Sequence, residues 1–107
     1  MTDKKFSRQN IKLTAGNGSN IDCEAFVSGD WAYHKAAGLQ YSYTVTHVPT
    51  GMSVGHYCYL SDARLTAIAL SEIPTAWNGT GDMPSEFKHE CAVVLSHLSS
   101  RLRGWRE

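Results

Sequence analysis

Apolar residues alternate along this chain up to Leu60 and recur every three or four positions beyond it. Alternation is the period of a strand with one buried face, and the longer repeat is that of an amphipathic helix. The change of period therefore divides the chain into a strand-forming part followed by a helix-forming part. Strands first and helices last is the order of an α+β protein, in which one face of an antiparallel sheet buries the helical stripes. At 107 residues the chain has the length of a single domain, expected to span residues 1–107, and it can bury a core without disulfides or metal.

The strand part opens weakly. Phe6, Ile11 and Leu13 suggest a first strand around residues 5–13, and AGNGSN after it is a loop by composition. IDCEAFV then places Ile21, Cys23, Ala25 and Val27 on one side, with Asp22 and Glu24 opposite. SGD turns the chain, WAYHKA reads as a further extended segment, and Ala36 to Gly38 break it.

Residues 44–60, TVTHVPTGMSVGHYCYL, form the clearest element. Val48-Pro49-Thr50-Gly51 suits a type I turn in which proline fixes φ at the second position and glycine takes the left-handed fourth. Reversal there sets Thr46 near Val54, Thr44 near His56 and Ser42 near Cys58. Val48, Met52, Val54, Cys58 and Leu60 then share one face, which is the expected core face. Tyr41, Tyr43, Val45, Tyr57 and Tyr59 share the other, and make a ladder of four tyrosines.

Past Leu60, Ser61 is the expected N-cap of a helix over DARLTAIALSEI, with Leu65, Ile68, Ala69 and Ile73 as its buried stripe and Pro74 as its stop. TAWNGTGDMP is a loop. A second helix is expected from Asp82–Ser85 to about Arg103, with Phe87, Cys91, Val94, Leu95, Leu98 and Leu102 facing inward. The whole reads β-β-β-β-α-α, a sheet of three to four strands with two C-terminal helices on one face.

Composition narrows the chemistry. Ten basic and ten acidic side chains cancel, which argues against a dedicated nucleic-acid coat. Cys23, Cys58 and Cys91, odd in number and irregular in spacing, read as core side chains in a reducing cytoplasm rather than as a disulfide framework. No apolar run is long enough to span a bilayer, and the start has no apolar block of the secretory kind.

Metal ligation finds little to work with: His56 and Cys58 could share an ion, but there is no C-x-x-C or H-E-x-x-H. KHEC at 88–91 lacks the downstream cysteine pair of a zinc deaminase. Cys58 with His56, or Cys91 with His89 and Glu90, are nucleophile–base pairs only on paper, since neighbours on one strand or helix rarely meet in the needed geometry. The expectation is no catalytic residue, no metal and no cofactor.

The tyrosine ladder is the more informative feature. Cross-strand aromatic pairs stabilise sheets, and exposed tyrosines make binding hot spots. The expected partner-binding residues are Tyr41, Tyr43, Tyr57 and Tyr59, extended by Trp31 and by Trp77 from the 75–83 loop. Self-association over that face makes a homodimer a further expectation. The alternative is a nucleic-acid-binding regulator using the aromatic face and Arg101, Arg103 and Arg106 at the end of the last helix.

YTVTHVPTGMSVG followed by LSDARLTAIAL resembles a class of small phage and prophage accessory proteins, in which a T-H-x-P-T-G-like turn joins two strands ahead of an alanine-rich helix. The resemblance covers roughly residues 41–70. With the small size and lack of a catalytic motif, the chain also looks like anti-defence proteins, anti-CRISPRs included. That resemblance implies a non-enzymatic inhibitor in the host cytoplasm that occupies a surface of a host protein complex.

Overall fold

A computed structural model describes residues 6–14, 18–35, 42–99 and 101–102. Five strands precede two helices: β1 (Ser7–Thr14), β2 (Asn20–Ser28), β3 (Trp31–Lys35), β4 (Tyr43–His47), β5 (Met52–Tyr57), α1 (Leu60–Ser71) and α2 (Ser85–Ser99). The strands form one antiparallel sheet in sequence order, so each hydrogen-bonded pair of strands is consecutive in the chain. This is the α+β architecture expected from the change of period, with a fifth strand.

The turns form where residues with restricted or permissive φ allow them. Gly51 adopts φ +71° at the β4–β5 reversal, and its N–H reaches the His47 carbonyl at 2.8 Å. Thr44 faces His56 as expected, but Val45 pairs with Gly55 and Thr46 with Ser53, so Val54 is a surplus residue on β5. The expected Thr46–Val54 pairing is displaced by that bulge.

Two apolar clusters occupy opposite faces of the sheet. On the helical side Trp31, Tyr33 and Val45 meet Ala63, Ala67 and Leu70 of α1 and Phe87 of α2. On the other side Ile11, Ala25, Val27 and Ala32 form a smaller cluster, joined by Leu13, Cys23 and Val48. The sheet curls enough to bring the end of β1 onto the β4–β5 turn. There the Thr14 N–H donates to the Gly51 carbonyl at 2.8 Å, and its hydroxyl donates to the Thr50 carbonyl at 2.9 Å.

The expected core face of the β4–β5 hairpin is reversed. Val45 is fully buried under the helices, and Tyr43 and Tyr57 pack against the same cluster. Met52, Cys58 and Leu60, expected inside, are exposed, while Val54 reaches the helical core and Val48 the smaller one. The stripe of α1 differs for the same reason. Asp62, Ala63, Thr66, Ala67 and Leu70 are buried, whereas Leu65 is exposed and Ile68 and Ala69 are half-buried. A sheet face carrying Trp31, Tyr33 and Tyr43 is already bulky, so the helix lying on it presents small residues to approach closely. The helix begins at Leu60 with Tyr59 as N-cap and no side-chain cap, so Ser61 does not take the expected role.

In α2 the expected stripe stands as far as Leu98: Phe87 and Leu98 are buried, and Cys91, Val94 and Leu95 are half-buried against the core. The helix ends at Ser99 and not near Arg103, so Leu102, half-buried, lies beyond it.

Candidate functional site

At the β4–β5 turn end of the sheet, two rings from the sheet, one from α2 and one from the loop before it form one cluster. The strand alternation that buries Tyr43 and Val45 also buries His47, and β3 places Trp31 directly opposite it. Their ring centroids are 4.9 Å apart. Phe87, from the first turn of α2, lies 5.2 Å from His47 and is stacked on Trp31 at 6.0 Å. Trp77 closes the group from the 75–84 loop, stacked on His47 at 5.7 Å and meeting Phe87 edge-on at 5.8 Å. Such offset and edge contacts add about 0.5–1.5 kcal/mol per pair beyond burial.

The loop that carries Trp77 is held at several points. Its indole N–H donates to the Thr80 carbonyl at 3.2 Å, and the Thr75 N–H donates to Glu90 Oε1 at 3.0 Å. Gly79, at φ +86°, sits against the hairpin turn: a Cβ there would lie 2.9 Å from the Thr50 methyl.

His47 is the chemically unusual member. Thr50 hydroxyl donates to the His47 carbonyl at 3.2 Å, so His47 Nδ1, 3.1 Å from the same oxygen, is the donor of that contact. Its Nε2 is buried and has no hydrogen-bond partner among the described residues. Burial holds the imidazole below its ordinary pKa, against the smaller opposing pull of Asp30 and of the Trp77 backbone. A neutral ring is therefore the form that fits between the two indoles.

Beside this cluster an open groove of about 300 Å3 runs between β5 and α2. Met52, Val54, Trp77, Met83 and Leu95 are among its lining residues. Met52 is 59% exposed and Met83 46%. Lys88 is the one lining residue charged at neutral pH, and it makes no ion pair among the described residues.

On the opposite face β3 and β4 bury a polar group. His34 Nδ1 donates to the Lys35 carbonyl at 2.7 Å, and Nε2 accepts from the Thr46 hydroxyl at 2.7 Å. Thr44 shares a 3.0 Å hydrogen bond with His56. Burial first, and His56 as a minor contributor, hold His34 below its ordinary pKa against the Lys35 carbonyl bond. Both ring nitrogens of His34 are satisfied, which marks this group as structural.

The residues singled out from sequence are distributed differently from expectation. Trp31 is 4% exposed and belongs to the core, and Tyr43 and Tyr57 are half-buried beneath the helices. Tyr57 is raised above its ordinary pKa by burial, while a hydrogen bond with Thr66 acts in the other direction. Of the ladder, Tyr59 is exposed, at the start of α1, and Tyr41 lies outside the described residues. The tyrosines are thus not one outward surface, because their side of the hairpin is the one the helices cover. Trp77 does reach the groove. Arg101 is exposed, while Arg103 and Arg106 lie outside the described residues.

His47, Met52 and Met83 were not legible as a site. The signal for His47 was its phase with Tyr43 and Val45 on one strand. Among the described residues, no three His, Cys, Asp or Glu side chains are grouped to hold a metal ion, and no helix is long and apolar enough to cross a membrane. No protein-family model, curated protein or solved structure matches the chain. Fold and site together define an α+β protein with a helix-covered, five-stranded meander and an apolar groove at one flank.

Proposed function

We propose that this protein acts by binding another protein, and that its contact surface is the groove between β5 and α2. The carrying observation is the pair of exposed methionines flanking an open apolar channel beside Trp77. Methionine is flexible and polarizable, so a methionine-rimmed groove can fit an apolar side chain of a partner. Exposed apolar surface of this kind is a frequent mark of protein contact. The reading moves the contact surface from the tyrosines themselves to the groove, and keeps Trp77 and the 75–83 loop. Inhibition of a host complex by occupying its surface, the role implied by the resemblance to small phage accessory proteins, is the form of this activity we favour.

Affinity capture from host lysate tests it. The wild-type protein and a Met52→Glu, Met83→Glu variant are immobilised in parallel, with Leu65→Glu on the outer face of α1 as control. A host protein retained by the wild type and by the control, and lost with the double variant, supports the groove. Retention by all three places the contact elsewhere.

A further inference from the structure

Resting on that reading, we propose that the groove recognises a linear peptide segment carrying a bulky apolar side chain next to a carboxylate. The apolar part follows from the lining and the size. About 300 Å3 between Val54, Leu95, Trp77 and the two methionines holds one or two large side chains and offers few polar partners. The acidic part follows from charge. Among the described lining residues Lys88, in the first turn of α2, is the only charged side chain, because His47 is held neutral by burial. With no carboxylate paired to it among the described residues, Lys88 can complement an acidic side chain entering beside the apolar anchor.

The backbone argues that side chains, not strand addition, carry recognition. β5 is an edge strand, but the surplus Val54 breaks its ladder in the middle, and Thr14 already occupies the Gly51 carbonyl at one end. A bulged edge is a poor template for a further strand. A second copy of the chain offering β5 is disfavoured as well, since Met52–Tyr57 holds no acidic residue to meet Lys88.

The probe is a displayed library of random linear peptides, selected on the immobilised full chain. Three proteins are compared: wild type, Lys88→Glu, and Ala92→Trp, which fills the groove from an exposed position of α2. Thermal unfolding of each confirms that the fold is kept. The expected result is enrichment of sequences pairing Leu, Met, Phe or Trp with a nearby Asp or Glu. Lys88→Glu shifts the enriched neighbour to Lys or Arg and weakens the original peptides roughly two- to fivefold, the size of an exposed ion pair. Ala92→Trp abolishes enrichment.

Enriched peptides without an acidic neighbour, or peptides bound equally by Ala92→Trp, overturn the proposal. So does concentration-dependent self-association, seen by sedimentation and removed by Ala92→Trp, because the occupant is then a second copy. If no peptide is enriched while Ala92→Trp still abolishes capture of a lysate protein, the linear segment is rejected and the groove reading survives. If lysate capture is also unchanged by Ala92→Trp and by the methionine double variant, both fall.

Discussion

His47 and Gly51 show how much of this structure rests on single residues at one turn. Gly51 combines a positive φ with close neighbours: a Cβ would lie 2.7 Å from the Lys12 carbonyl and 2.8 Å from Thr14 Oγ1. Alanine there must both strain its backbone and push β1 away from the turn. We expect Gly51→Ala to cost about 2 kcal/mol or more, read as a lowered urea midpoint. His47 and His34 make stability fall with acid. Both are held below the ordinary histidine value of 6.5 in the folded chain, chiefly by burial. As pH drops through about 6.5, the unfolded chain takes up protons before the folded one does, so unfolding becomes easier. Urea midpoints should fall steadily from pH about 7.5 to about 5.5. His47→Phe should make that fall shallower, and an unchanged slope would show that burial of this ring does not govern it.

At the scale of elements, the instructive comparison is between the two helices. In α2 the buried side chains are large, Phe87 and Leu98, and hydropathy alone locates them. In α1 the buried side chains are mostly small, because Trp31, Tyr33 and Tyr43 already fill the space beneath. Ranking residues by apolar size therefore selects Leu65 and Ile68 and misplaces the stripe. The same ranking prefers Met52, Cys58 and Leu60 to tyrosines and inverts the hairpin. The turn itself was legible, since Pro49 and Gly51 restrict the backbone whatever packs on it. The four-ring site was not, because it joins residues from β3, β4, the 75–84 loop and α2, and spacing along one element carries no trace of such a meeting. Chemical denaturation can weigh the two stripes. Leu65→Asp should cost less than about 1 kcal/mol. Ala67→Leu, which adds three carbons to a fully buried position, should cost about 1–3 kcal/mol.

Across the molecule, order of burial implies an order of opening. β3 has partners on both edges, lies under α1 and contributes to both apolar clusters. By contrast α2 buries only Phe87 and Leu98 among its described residues, and leaves Val93 52% exposed. Native-state hydrogen exchange should show the slowest amides in β3, β4 and α1, with α2 exchanging through a smaller, separate opening. Equal protection of both helices would mean that the groove wall is as firmly fixed as the core.

Val54 has a consequence for how copies of this chain behave toward one another. Five strands in sequence order leave β5 as a rim without Lys, Arg, Asp or Glu, and such rims readily zip to their own kind. Excising that one supernumerary valine would straighten the rim into an unbroken template. The shortened protein should turn cloudy on standing, by light scattering, at concentrations where the parent stays clear.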